Sequence, residues 1–435
     1  MTVKIQKEKM KKSIIIFFCI IFSLQIFSQQ VTKPYMGTFL LKGGQVETVY
    51  EGLIDADVLI KDGKIMEVAE AIVHPGAQQI DCKGLFIYPG MIDSGTKLGL
   101  AEIGAVSLTQ DHNEIGNYTP HMQALTAINP SSVNIPVNRV NGVTTVLAVP
   151  SGGQFPGTAA LINLHGYTPE QMYAGFKGVV FNYPSTGRRG RWDRRSEEDI
   201  KKAEVKARKS LEGFWKKAKL HAQMAAKGET KYNPQLEALR PIIDKEAPLM
   251  IEVNKKSDIL SAIKWVSDND IKAIFTGVSE GYRVADSLAV HNIPVITGPV
   301  LDNPSRASDK YDASYANAGL MQQAGVKVAI KTNETENVRN LPYNAGFAAA
   351  YGMGWREAYK AITVVPAEMF GILDQYGTIE RGKWANVFVS DGDPFETKTQ
   401  IKHLFIQGYN IPLESRHTLL YDEFLDRDPG LQEEK

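Results

Sequence analysis

The sequence predicts an α/β protein built around a barrel, and three observations carry that prediction. Between Leu85 and about Pro366, short apolar runs alternate with helix-patterned segments, the signature of successive βαβ units. Strand-like runs punctuated by turn residues precede that region and return after Gly377. A chain of 435 residues, 43% hydrophobic and 23% charged, can bury a core of that size. Lys plus Arg and Asp plus Glu each number 49, so nothing in the global charge argues for nucleic acid or an acidic partner, and no nucleic-acid partner is expected.

The elements follow in chain order. Lys4, Lys7, Lys9, Lys11 and Lys12 precede an apolar run from Ile14 to Phe27, with small Ser28 after it. This reads as a signal peptide over residues 1–28, because a membrane span needs ~20 apolar residues. The expected address is periplasmic or extracellular, with no stable membrane anchor after cleavage. Cys19 would leave with the signal, so Cys82 alone remains and no internal disulfide is expected. Thr38 to Leu41, Val46 to Tyr50, Asp57 to Ile60 and Ile65 to Val68 read as short strands, with Gly43-Gly44 and Asp62-Gly63 as turns.

Leu85 to Tyr88 is a buried strand. Pro89-Gly90 punctuates it, and Met91-Ile92-Asp93 resumes toward the polar stretch Ser94-Gly95-Thr96-Lys97. Further strands are expected at 143–149, 178–183, 248–253, 271–275, 293–296 and 326–330, with 158–163 supplying the eighth. Helices are expected at 257–266, 282–290, 313–324 and 342–351. Residues 186–246 break the rhythm. An arginine-rich loop (Arg188, Arg189, Arg191) leads into a charged helix capped by Ser196, read as a solvated insertion because the helix's acids balance the arginines. After Gly377, Ala385 to Val389 and Ile401 to Ile406 return to strand pattern, and the tail beyond Asp426 is polar.

Several short motifs, in this order, resemble the amidohydrolase superfamily, in particular its imidazolonepropionase-like members. They are Pro89-Gly90-Met91-Ile92-Asp93, Asp62-Gly63-Lys64-Ile65, Asn141-Gly142-Val143-Thr144-Thr145-Val146, Thr363-Val364-Val365-Pro366-Ala367 and Gly382-Lys383-Trp384-Ala385-Asn386-Val387. The resemblance covers nearly all of residues 36–412. It implies a (β/α)8 TIM-like barrel over 89–376, inserted in a small composite β-sandwich formed by residues 36–88 and 377–425. It also implies a hydrolase acting on C–N bonds other than peptide bonds, with zinc-like ions at the barrel mouth.

At the positions where the family holds those ions this chain departs from the pattern. Gly95 and Lys97 stand at the paired histidines, Glu252 at the strand 5 histidine, Thr276 or Gly277 at strand 6, and Asn333 at the strand 8 aspartate. An ammonium has no lone pair and repels a divalent ion, and a neutral amide is no general base. No metal cofactor is therefore expected. The eight histidines contain no His-x-His or His-x-x-x-His pair. His112, in Asp111-His112-Asn113-Glu114, is placed to overhang the mouth or to lie on a polar surface loop. His291 is expected at the barrel bottom and His403 in the sandwich.

The candidate ligand-binding residues are Asp93, Ser94, Thr96, Lys97, Glu252, Asn333 and Arg339. In this reading Lys97 and Glu252 are neighbours and Arg339 adds a carboxylate clamp. Equally open is a relic pair in which Lys97 and Glu252 satisfy each other. Three classes of function stay open: a hydrolase with a rebuilt site, a noncatalytic binding protein for a small-molecule ligand, or a structural subunit, in a homo- or hetero-oligomer with an intact amidohydrolase.

Overall fold

Eight strands make the barrel in this computed structural model, which describes residues 32–187 and 193–427. They are β1 (Met91–Thr96), β2 (Val143–Ala148), β3 (Gly157–Asn163), β4 (Tyr173–Asn182), β5 (Leu249–Val253), β6 (Ala273–Gly277), β7 (Val295–Thr297) and β8 (Val328–Ile330). They pair in chain order from β1 to β8. Backbone bonds from Asn333 N to Gly95 O (3.0 Å) and from Lys97 N to Glu334 O (3.1 Å) draw the β8 end back to β1. The predicted barrel strands are all present, and 157–163 does supply the eighth. The signal segment, Cys19 included, and Arg188, Arg189 and Arg191 lie outside the described residues.

The barrel is not wholly parallel. β3 runs antiparallel to both β2 and β4, while β1–β2 and every pair from β4 to β8 are parallel. Connection length is the reason. Residues 149–156 and 164–172 are too few for a parallel crossover, which needs a dozen or more, so the chain turns back on itself twice.

One buried residue from each strand fills the barrel interior: Ile92, Leu147, Leu161, Val180, Met250, Ile274, Ile296 and Ala329. Side chains alternate along a strand, so the residues two places on project into the next layer toward the mouth. Those residues include Ser94, Asn182, Glu252, Thr276 and Lys331. Alternation thus sets an apolar floor beneath a polar layer.

Both chain ends build one sheet, as expected. Its order is Tyr35–Met36, Tyr409–Asn410, Ile401–Ile406, Val387–Ser390, Phe86–Pro89, Phe39–Glu47, Leu53–Lys61 and Lys64–Ala69, with Gln78–Asp81 beside Phe39–Glu47. Phe39, Val58, Ile60, Ile87, Val387 and Phe405 are among its buried core. Asp62-Gly63 turns the hairpin between Leu53–Lys61 and Lys64–Ala69 with both residues at positive φ, 52° and 81°. Gly43-Gly44 is no turn. It is a bulge inside one nine-residue strand, where a Cβ on Gly44 would stand 2.8 Å from Ile87 Cδ1.

The insertion helix spans Glu197–Ala226 and begins as predicted, with Ser196 Oγ accepting from Asp199 N. It is less exposed than its charge suggests. Leu211, Trp215 and Ala218 are buried, and Trp215 meets Trp265 edge-on at 5.6 Å. The strands of the terminal sheet stop at Asn410, short of the expected boundary. Ser415 and Thr418 cap each other there, and Arg416–Arg427 is a helix. His403 lies on the sheet, and His291 at the barrel bottom bonds Ser287 O, as expected. Cys82 is buried and free.

Candidate functional site

A cavity of about 230 Å³ opens at the C-terminal ends of the strands. Ser94, Thr96, Lys97, Ser151, Asn182, Glu252, Thr276, Lys331 and Asn333 line it, with an apolar wall of Val149, Pro150, Val180 and Met250. It adjoins two polar lobes. One shares Glu252, Lys331 and Asn333 and reaches Asp302 and Asn303; the other holds Lys97, His112, Glu334 and Glu336. Five of the seven expected ligand-binding residues, Ser94, Thr96, Lys97, Glu252 and Asn333, therefore converge on one mouth.

The expected contact between Lys97 and Glu252 does not form. Glu252 pairs with Lys331, whose Nζ lies 3.0 Å from Oε2. Thr276 Oγ1 donates to the same oxygen at 2.5 Å, and Asn254 Nδ2 donates to Oε1 at 3.0 Å. Burial opposes ionisation of Glu252. The Lys331 ammonium, with the Thr276 and Asn254 bonds, outweighs it and holds the carboxyl below its ordinary pKa.

Lys331 reaches Glu252 because Gly95 leaves room. A Cβ at Gly95 would stand 2.9 Å from Lys331 Cδ. Lys331 is the residue the sequence reading passed over. Its signal was the alternation Ala329-Ile330-Lys331, which puts the lysine on the same interior face as the floor residue Ala329.

Asp93 and Arg339 sit elsewhere. Asp93 is fully buried at the seam, where its carboxylate accepts from Gly95 N and from both the backbone and hydroxyl of Thr332. Burial with only neutral donors in contact pushes its pKa up to about 7. It fastens β1 to the end of β8 and does not line the mouth cavity. The Arg339 guanidinium donates to Asn337 Oδ1 at 3.2 Å, while its backbone bonds Asn138 and Asn141. Its short 3-10 turn (Val338–Asn340) packs against Asn134–Arg139, and Arg339 is not among the residues lining the cavity.

The acidic-histidine loop does reach the mouth. His112 Nδ1 and Ser151 Oγ are 2.8 Å apart, and Ser151 N donates to His112 O. Burial, aided by the nearby Lys97 charge, lowers the His112 pKa. Among the described residues, no three His, Cys, Asp or Glu side chains gather as a metal-holding group.

A strand barrel entered and left through one sheet of both chain ends, with polar groups gathered at its C-terminal mouth, has the plan of a barrel enzyme whose site lies at that face. The amidohydrolase family model matches residues 138–411, and the chain belongs to that family. A crystal structure of an amidohydrolase from Thermotoga maritima MSB8 superimposes with a TM-score of 0.74 at 25% identity, covering 86% of this chain and 99% of that one. A molinate hydrolase structure shares the fold alone, at TM-score 0.53 and 16% identity over 87% of this chain and 96% of that one.

Local sequence similarity extends to the D-hydantoinase of Geobacillus stearothermophilus, 35% identical over 91 residues. Those residues are 21% of this chain and 19% of that enzyme. The dihydroorotase of Streptococcus pneumoniae is 44% identical over 55 residues, which are 12% of this chain and 13% of that enzyme. The aligned stretches thus span less than a fifth of these relatives' length.

Proposed function

We propose that this amidohydrolase-family protein is exported and that its barrel mouth binds a small polar molecule without metal-dependent hydrolysis. The family implies a hydrolase of C–N bonds other than peptide bonds, and D-hydantoinase and dihydroorotase are similar in part. The observation that carries the departure is the Lys331 ammonium, 3.0 Å from Glu252 within the ring of strand ends.

A divalent ion does not fit this donor set. Among the described residues, Glu252 is the one carboxylate lining the 230 Å³ cavity; it already has a cation, and Lys97 adds a further positive charge. Zinc sites take three or four strong ligands. Export rests on the basic and apolar run before Ser28.

The test is elemental analysis of the purified mature protein, with assays on hydantoin and dihydroorotate with and without added zinc. The expected result is substoichiometric metal and no turnover. About one tightly held zinc per chain together with turnover would refute the proposal. Amino-terminal sequencing of secreted material tests export, with a new terminus expected after Ser28.

A further inference from the structure

From the charge balance of the mouth we infer that its ligand is a small organic monocarboxylate with a short apolar body; this rests on the ligand-binding reading above. Among the described residues, the lining of the cavity holds two ammonium groups and one carboxylate. Lys331 and Glu252 neutralise each other. Among the described residues no carboxylate lies within ion-pair distance of Lys97, so the lining of this cavity carries one ammonium group beyond the Lys331–Glu252 pair, with Glu334 and Glu336 in the adjoining lobe.

A second, independent feature points the same way. Ser94 is 1% exposed, lines the cavity, and its Oγ has no hydrogen-bond partner. A buried hydroxyl without a partner is unfavourable, and an acceptor in the cavity would relieve it. A carboxylate would supply both the missing acceptor and a counter-charge for Lys97. Thr276 and Asn254 are already spent on Glu252, and Asn182 Nδ2 on the carbonyls of Gly152 and Gly153.

The rest of the cavity selects the body of the ligand. Val149, Pro150, Val180 and Met250 form an apolar wall. At about 230 Å³ the space is larger than the roughly 150 Å³ engineered cavity that takes benzene. A dianion such as phosphate would bring two negative charges to the one ammonium group left unpaired, and Glu252, with Glu334 and Glu336 in the adjoining lobe, would repel the surplus.

The experiment is calorimetric titration of the full-length mature protein with benzoate, cyclopentanecarboxylate and propionate. Their primary amides and inorganic phosphate serve as comparison ligands. Carboxylates are expected to bind about tenfold or more tightly than the matched amides. Lys97→Met should abolish that preference, and Ser94→Ala should weaken carboxylate binding about two- to tenfold. Thermal melts establish that both variants fold; Ser94→Ala removes only an unpartnered hydroxyl.

Equal binding of acid and amide, a preference unchanged in Lys97→Met, tighter binding of phosphate, or no carboxylate binding would each overturn the inference. Equal binding of acid and amide would leave the ligand-binding reading standing, whereas zinc with turnover would remove that reading itself.

Discussion

Asp93 and Glu252 are carboxylates on neighbouring regions of one barrel end, and their environments drive them in opposite directions. At the seam, Asp93 is buried among the neutral donors of Gly95 and Thr332, and its pKa rises to about 7. In the mouth, Glu252 meets the Lys331 ammonium and its pKa falls. Hydrogen-bond donors alone do not offset the loss of water around a buried charge; a counter-ion does. The seam is thereby a structural clasp that favours a neutral acid. The mouth is an ionised, polar surface open to a ligand.

The sharpest way to break this contrast is a pH series on Asp93→Asn. Between the ordinary carboxyl value of 3.8 and about 7, the folded protein keeps a proton on Asp93 that the unfolded chain has released. Stability from this group is therefore full below that window and lost as pH rises through 7, on the order of 4 kcal/mol in all. Urea unfolding at pH 5 and pH 8 should show roughly two-thirds of that loss, about 3 kcal/mol, in the wild type and its absence in the variant. Parallel pH dependence in the two proteins would contradict the assignment.

Glu252 has the opposite sign: its contribution is present above the ordinary carboxyl range and fades as pH falls through it. Lys331→Met strands this carboxylate and should cost about 2–3 kcal/mol at pH 7, below the usual figure for a broken buried pair because Glu252 is 33% exposed. Restoring stability with the double change Lys331→Met, Glu252→Met would confirm that the loss lies in the unpaired charge. A single variant as stable as the wild type would show that the pair does not set the mouth.

Gly95→Ala sharpens the comparison at the boundary between the two regions. The new methyl must displace Lys331 by a few tenths of an ångström, at about 1–2 kcal/mol, and should loosen the Lys331–Glu252 pair while leaving the Asp93 slope intact. The smallest effect is electrostatic. Lys97→Met should raise the His112 pKa part of the way back toward 6.5, burial keeping the remainder, as followed by its ring proton shifts in NMR. An unmoved His112 would mean that burial alone sets it.

The fold was legible because framework signals are local. Alternating apolar runs located the barrel strands, Asp62-Gly63 marked its hairpin, and Ser196 with its following acids marked the start of the long helix. Gly43-Gly44 misled because two glycines serve a bulge as well as a turn, and only the closeness of Ile87 decides between them. The direction of β3 was hidden in the lengths of two connections, which a list of strands ignores.

At the site, Ser94, Thr96, Lys97, Glu252 and Asn333 were readable from strand ends. The partner of Glu252 was not. Lys97 and Lys331 are both lysines at strand ends, and the choice between them depends on the empty space at Gly95, a property of three strands together. The place of Arg339 outside the cavity lining was hidden for a similar reason, since its backbone is held by Asn138 and Asn141, far away in sequence.

The strand Phe86–Pro89 passes through a single glycine into β1, so sheet and barrel share one uninterrupted run of backbone. A Cβ on Gly90 would lie 2.2 Å from Thr144 Oγ1, and Gly90 N donates to Asn386 O at 2.8 Å. Asn386 in turn bonds Thr145 and Asn163 in the barrel and Gln407 N in the sheet. Neither part can melt without pulling on the other. The molecule should resist dissection: denaturant is expected to dismantle both in one cooperative step, and a protease should find no cut that releases either as a stable fragment.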